Sequence, residues 1–460
     1  MDNNVSSLGQ GPGLAWKRGS SSFPPGSLAE LQEWTGGATE PPEPPWHGDV
    51  TFQQWNTIGW GITDDGILCI KPWEGNVGET GSTITDDVPW HDQASNIKKI
   101  ESTGTIVLNE DSQNLFSDCS DLTDLTALED WNVSNVKIMS YMFSSCSSLT
   151  DLTAIANWNV SHVTDMFSMF GDCSDLTDLS ALNNWDVSHV TDMGYMFYSC
   201  SSLTNLTPLA NWKVSNVTSM WTMFSYCSSL TDLTGIADWN VSNVENISNM
   251  FSSCSSLTDL TGLENWNVSN VTEIDSMFQD CSSLTDLSAI QNWDVSHFVR
   301  MSGMFSNCYS LTDLTGISGW NVSEVGNMNH MFQRCSSLTD LSAIQNWNVL
   351  NVTEMDSMFQ DCSSLTDLTA LKNWNVSKVR YMDSMFANCS SLQKVGIPSI
   401  ANGGQKLVEN AEASTLTTVL PSIISEDGSM GPLTWDELNT EMTTNPERFE
   451  SGTVWVKEAE

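Results

Sequence analysis

The chain has 460 residues, with 57 acidic and 16 basic side chains and a formal net charge of −41. That balance excludes a protein built to neutralise nucleic-acid phosphates or to lie on an anionic membrane. Because 40% of residues are apolar and only 16% charged, the acidity is not that of a disordered acidic tail, and no run of about 18 apolar residues is available to span a bilayer.

Residues 1–45 combine Gly and Ser clusters with the run Pro41, Pro42, Glu43, Pro44, Pro45, which predicts a disordered or semi-rigid tail. Met1 through Gly11 hold neither a basic n-region nor an apolar h-region, so the expectation is a cytosolic chain or one whose true start lies upstream. Residues 46–116 contain Trp60-Gly61-Ile62-Thr63, then Asp64-Asp65-Gly66, then Ile67-Leu68-Cys69-Ile70. Two apolar runs around turn residues predict a hairpin, within a small β-rich N-terminal cap.

From 117 to 394 the sequence repeats. Tryptophan falls at Trp131, Trp158, Trp185, Trp212, Trp239, Trp266, Trp293, Trp320, Trp347 and Trp374, always 27 residues apart, and cysteine keeps the same beat from Cys119 to Cys389. A fixed period of this size means a solenoid, in which each unit buries its apolar side against its neighbours. Within Trp131–Asn157, the alternation over Trp131, Asn132, Val133 and Ser134 predicts a short extended piece. Val136, Met139, Met142, Phe143 and Cys146 fit two turns of helix, with Ser134 or Asn135 as N-cap. Leu149 through Thr153 predicts a second short strand, with the Leu-x-x-Leu spacing of a leucine-rich repeat. The expected fold is therefore an α/β solenoid, a leucine-rich-repeat-like stack of ten 27-residue rungs, each with short strands and a short helix. Terminal rungs need covers, and residues 395–460 supply a C-terminal cap: Thr434, Trp435, Asp436 and Glu437 read as a capping box, and Thr453 to Val456 as a closing strand.

In tandem, the motif V-T-x-M-x-x-M-F-x-x-C-S-S-L-T-D-L resembles the BspA-like leucine-rich-repeat surface proteins of bacteria, in the branch with mycoplasma surface lipoprotein-type repeats. Trp60 to Gly66 is similar to the lead-in module of such proteins, and Leu433 to Leu438 with Gly452 to Trp455 to the segment that follows their repeats. The resemblance implies a secreted or wall-attached bacterial protein; the expectation of no enzymatic activity and no cofactor rests on the residues, which offer no catalytic set outside the repeat. It implies adhesion to host matrix or cell-surface proteins, or to other bacteria.

Stacking turns repeated residues into columns about 4.7–4.9 Å apart. The cysteines lie within disulfide range of one another, but eleven is odd and the position is buried, so reduced thiols packed as small hydrophobes are expected. No second sulfur or histidine in the unit completes a zinc site. One exposed column is Asp124, Asp151, Asp178, Asn205, Asp232, Asp259, Asp286, Asp313, Asp340 and Asp367; beside it run Thr126, Thr153, Ser180, Thr207, Thr234, Thr261, Ser288, Thr315, Ser342 and Thr369. Like charges ~5 Å apart repel by roughly 0.8 kcal/mol in water. The stripe serves solubility, or it is a contact surface for a basic protein patch, with weak divalent-cation binding as a further expectation. Asn132 and its equivalents stand in Asn-Val-Ser triplets, where turn or strand-end hydrogen bonding is expected. No Ser-His-Asp set, phosphate loop or acid pair stands outside the repeat, and the tryptophans are all assigned to the core, leaving no aromatic platform for a glycan. The reading is an adhesion or protein-interaction module, or alternatively a spacer or stalk displaying another domain.

Overall fold

The computed structural model describes residues 46–81, 88–413 and 416–458. The tail expected over 1–45 lies outside the described residues. The compact unit that begins at Trp46 opens with strands β1 (Gln53–Trp55), β2 (Ile58–Ile62), β3 (Ile67–Pro72), β4 (Gly78–Glu79), β5 (Lys99–Ser102) and β6 (Ile106–Val107). β2 and β3 form the expected antiparallel hairpin, closed where Gly66 takes φ +83°, a left-handed value that glycine adopts without a Cβ clash. β5 lies parallel to β3 on one side, and on the other its Lys99 bridges Asp124, so the sheet runs directly into the first rung.

Each rung packs apolar side chains inward at the same ten positions. In the first they are Trp131, Val133, Val136, Met139, Met142, Phe143, Cys146, Leu149, Leu152 and Ile155, every one buried. Full burial of one such side chain is worth roughly 1.5–3 kcal/mol. Copies meet in columns. The phenyl rings from Phe143 to Phe386 stack at 5.6–6.0 Å between centroids and within 9° of parallel. At the start, Phe116 and then Trp90 continue the pile at 5.4 and 6.4 Å. Each indole from Trp158 to Trp374 donates Nε1–H to a carbonyl 30 residues earlier, as Trp239 does to Leu209 at 3.1 Å.

The helix expected from Val136 to Cys146 is absent. The N–H groups of Met139, Tyr141, Phe143 and Ser145 donate sideways, to the carbonyls of Asp165, Phe167, Met169 and Gly171 in the next rung at 2.7–2.9 Å. Those of Met142, Ser144 and Cys146 donate back to Met139, Tyr141 and Phe143 at 3.0–3.2 Å. The segment is thus a run of overlapping turns, with Tyr141 and Ser145 at positive φ. Both arrangements bury positions three and four apart, so the apolar spacing is common to them. Ser, Thr and Asn between the methionines favour the one that uses the neighbouring rung.

The two short strands expected per rung are corrected likewise. Leu149–Leu152 leads into a 3-10 turn at Thr153–Ile155, and neighbouring rungs meet through single parallel bridges such as Ile138 to Asp165 and Asp165 to Asp192. Only in the last rung does the Asp position become a paired strand, β7 (Asp367–Leu368), because β8 (Lys394–Ile397) lies parallel beside it. Past β8 come α1 (Gly404–Ala413), α2 (Leu416–Val419), β9 (Ile423–Ser425), α3 (Trp435–Thr444) and β10 (Thr453–Lys457). β10 is antiparallel to both β8 and β9, and α3 starts on the expected capping box, Thr434 with Glu437. Among the described residues no helix is long and apolar enough to cross a membrane.

Candidate functional site

The Asp and Thr columns lie together on one flank, half-buried or exposed, and their first task is local. The Oδ1 atom of each acid accepts the N–H two residues on, where the 3-10 turn begins: Asp151 from Thr153 at 2.8 Å, Asp232 from Thr234 at 2.8 Å, Asp313 from Thr315 at 2.7 Å, Asp367 from Thr369 at 2.7 Å. Asp124, Asp178, Asp259, Asp286 and Asp340 do the same, and Asn205 does so for Thr207 at 3.2 Å. Hydroxyls of Ser180, Ser288, Thr315 and Ser342 add a second bond to the other oxygen. Hydrogen bonds from Thr261 hold the Asp259 carboxyl below its ordinary range, and those from Thr126, helped by Lys99 at 3.4 Å, do the same for Asp124. Asn132, Asn159, Asn240, Asn267, Asn321 and Asn375 form the equivalent turn with the following Ser, as do Asp186 and Asp294.

The cysteines are all free and buried. From Cys146 to Cys389 each thiol points at the carbonyl of a phenylalanine 30 residues earlier, at 3.1–3.2 Å. Burial pushes Cys227, Cys281, Cys335 and Cys389 up to about 12, so none is poised as a nucleophile. Among the described residues no three His, Cys, Asp or Glu side chains converge where a metal ion could be held.

A second surface feature lies on the run of overlapping turns. There, in the first four rungs, aromatic side chains stand where most other copies carry Ser, Thr, Asn, Asp, Gln or Gly: Tyr141, Phe167, Tyr195, Tyr198, Trp221 and Tyr226. They touch in one continuous group. Tyr141 lies 5.2 Å from Phe167, Phe167 is 5.3 Å from Tyr195 and 6.0 Å from Trp221, and Tyr195 meets Trp221 edge to face at 4.6 Å. Tyr198 links Tyr195 to Tyr226 at 5.2 and 5.5 Å. Tyr141 is 38% and Tyr226 51% exposed, and the other four are half-buried. Tyr141, Tyr195 and Tyr226 hold φ of 57–61°, a region costly for a bulky residue.

Gly194 makes the contact between rungs possible. In its column it stands between Phe167 and Trp221, and a Cβ there would fall 2.6 Å from Trp221 Nε1 and 3.1 Å from Phe167 Cδ2. Without that atom the two rings close over the intervening rung. Carboxylates border the group. Asp165 Oδ1 accepts from Phe167 N–H at 2.9 Å and Asp192 Oδ1 from Gly194 N–H at 2.8 Å. Burial raises the Asp192 carboxyl, with Asp165 adding to it, and burial raises the Tyr141 phenol, reinforced by Asp165 and Asp192.

Sequence reasoning missed this group because it assigned the tryptophans together. Trp221 follows Trp212 by nine residues and lies off the 27-residue beat; a column-by-column comparison of the polar positions would have exposed it.

A family model described as "Mycoplasma protein of unknown function, DUF285" matches residues 110–232, 204–314 and 310–399. No curated protein matches the chain. Among solved structures the chain is similar to a leucine-rich repeat protein from Eubacterium ventriosum ATCC 27560, with 15% identity over 74% of this chain and 95% of that one and a TM-score of 0.41. It is also similar to a leucine rich cell surface protein from Faecalibacterium prausnitzii A2-165, with 15% identity, 73% and 94% coverage and a TM-score of 0.29. With overlapping matches that together run through the repeats over well more than half of its length, the chain belongs to the DUF285 family of mycoplasma-type repeat proteins.

Proposed function

We propose that the protein is a non-enzymatic interaction module, a rigid stack that presents a side face to a protein partner at the bacterial surface. The observation that carries this reading is the aromatic group on the surface of the turns, two of its side chains exposed and four half-buried. The stack buries its repeated apolar side chains completely, so six further aromatic residues outside that set, gathered on four adjacent rungs, serve no packing need of the repeat. Contiguous exposed aromatics rimmed by polar residues mark interaction sites. The surface location and the adhesive role follow from the motif resemblance, with host matrix proteins, host cell-surface proteins or other bacteria as the partners.

The Asp and Thr columns enter as a second, electrostatic element of the same module. Asp232, Asp259 and Asp286 stand on the flank and start the turns, and the stripe steers basic partners toward the stack and attracts divalent cations diffusely. The test is solid-phase binding of the full chain to purified matrix and cell-surface proteins. Saturable binding that Tyr195→Ala with Trp221→Ala weakens supports the reading. Binding to none of the panel favours the spacer or stalk. Charge reversal of Asp232, Asp259 and Asp286 to Lys, with binding unchanged, removes the stripe from the account.

A further inference from the structure

We infer that the corner formed by Tyr141, Phe167, Tyr195 and Trp221, bounded by Asp165 and Asp192, takes the guanidinium group of an arginine-bearing segment of a partner protein. This rests on the interaction-module reading and names the chemistry of its partner. Aromatic faces attract cations through their quadrupole, and a planar guanidinium stacks on them while its N–H fork meets a carboxylate. The corner supplies both parts. Tyr195 and Trp221 stand at 85° to each other, so one ring's face adjoins the other's edge, and Phe167 is tilted 41° and 45° to them.

Charge complementarity selects the cation. From Ile138 to Tyr226 the chain has seven aspartates and a single basic residue, Lys213, and Lys137 just before this stretch is already paired with Glu110 at 2.7 Å. Asp165 and Asp192 each spend Oδ1 on a backbone N–H of the turn, beside the phenol of Tyr141. A chain of sugar rings would need flat, aligned aromatic faces, and neighbouring rings here are canted by 41° to 85°. The corner also occurs once. Where other rungs continue the Phe167, Gly194, Trp221 column they carry Ser248, Asp275, Ser302 and Asn329, so the site is not a by-product of repetition.

The experiment uses the full chain labelled with 5-fluorotryptophan and observed by fluorine NMR, with the Trp221 signal assigned by its loss in Trp221→Phe. The probe is a nine-residue peptide with three spaced arginines; its citrulline counterpart has the same shape without the charge. The expected result is a saturable shift of the Trp221 signal with the arginine peptide, while the signals of the buried tryptophan column stay in place. Asp165→Asn with Asp192→Asn raises the half-saturation concentration by about tenfold, and Gly194→Val, whose side chain displaces Trp221, raises it at least as much. Unchanged positions of the remaining signals show that the variants fold. An equal shift with the citrulline peptide overturns the proposal, as does indifference to the double Asn variant. A shift with chitotriose and none with the arginine peptide overturns it in favour of a sugar site. If a purified matrix protein binds the full chain while Trp221 responds to neither peptide, the arginine corner falls and the broader module stands.

Discussion

Truncating one ring of the phenyl pile tests the physical unit on which every surface of the stack depends. Phe251 is fully buried, stacked on Phe224 at 5.8 Å and on Phe278 at 6.0 Å, with Trp266 at 6.5 Å. Replacing it by Ala removes the side chain from a site that cannot collapse without moving two rungs, a loss of about 3–5 kcal/mol. Each stacked pair contributes roughly 0.5–1.5 kcal/mol of that. In a quasi-one-dimensional stack the damage stays with the nearest neighbours. Hydrogen exchange read by mass spectrometry then shows amides between 212 and 292 exchanging about a hundredfold faster or more, and amides before 170 nearly unchanged. Phe386, whose one ring neighbour among the described residues is Phe359 at 6.0 Å, loses less when made Ala, by roughly one stacking contribution. The adjacent pair Phe224→Ala and Phe251→Ala is coupled, and the distant pair Phe170→Ala and Phe332→Ala is additive. Uniform acceleration along the whole chain, or a local change below tenfold, would refute nearest-neighbour stacking.

Further consequences are local and of known sign. Asp232→Ala removes the acceptor that starts a turn and costs about 1 kcal/mol in thermal or urea unfolding, whereas Asp232→Asn is close to neutral, since Asn205 already fills that role in its own rung. Thiol titration of the native protein at pH 8 leaves the buried cysteines unreacted, and denaturant releases all 12; rapid native labelling would contradict the packing. Asp192 has a carboxyl raised by burial, so the folded state holds its proton more tightly than the unfolded chain and this group opposes folding once the pH exceeds its folded value. Asp192→Asn therefore raises the melting temperature at pH 7, and the gain fades as the pH falls through the ordinary carboxylate range. Asp259 has the opposite sign: its lowered carboxyl supports folding above the ordinary range and loses that contribution as the pH drops through its lower folded value, so Asp259→Ala brings a loss that shrinks in acid.

What could be read in the sequence was decided by residues that answer to one constraint. Trp131, Phe143 and Leu149 have no alternative to the interior, and their 27-residue beat identifies the stack before any geometry is known. The hairpin around Gly66 and the capping box at Thr434 are short-range chemistry complete within a few residues, and both stand as expected. The rung's internal path was not legible, because Val136, Met139, Met142, Phe143 and Cys146 are buried equally by a helix and by turns whose N–H groups serve the next rung. Choosing between them requires knowing that a neighbour lies within hydrogen-bond reach, which no single unit states. The Asp column was legible as exposed charge; its turn-starting bond to Thr was not, since the acceptor role leaves no trace in periodicity.

The aromatic corner was hidden for a related reason: repetition directs attention to what recurs, and a site that binds one partner must be built from what does not. A stack in which every rung buries apolar side chains at the same ten positions frees its outward positions to vary at little cost to the fold. Variation there toward Ser or Asn is neutral. Variation toward Tyr at positive φ, toward an indole left half in solvent, and toward a carboxylate held above its ordinary range beside another carboxylate is unfavourable three times over. Tyr141, Tyr195, Trp221, Asp165 and Asp192 concentrate those departures on adjoining rungs, and Gly194 removes the one Cβ that would keep the rings apart. Asp192→Asn therefore separates the two demands within one residue. If the corner is functional, this substitution gains stability and weakens arginine-peptide binding together; if the carboxylate served the fold alone, stability would fall and the Trp221 response to the peptide would be untouched.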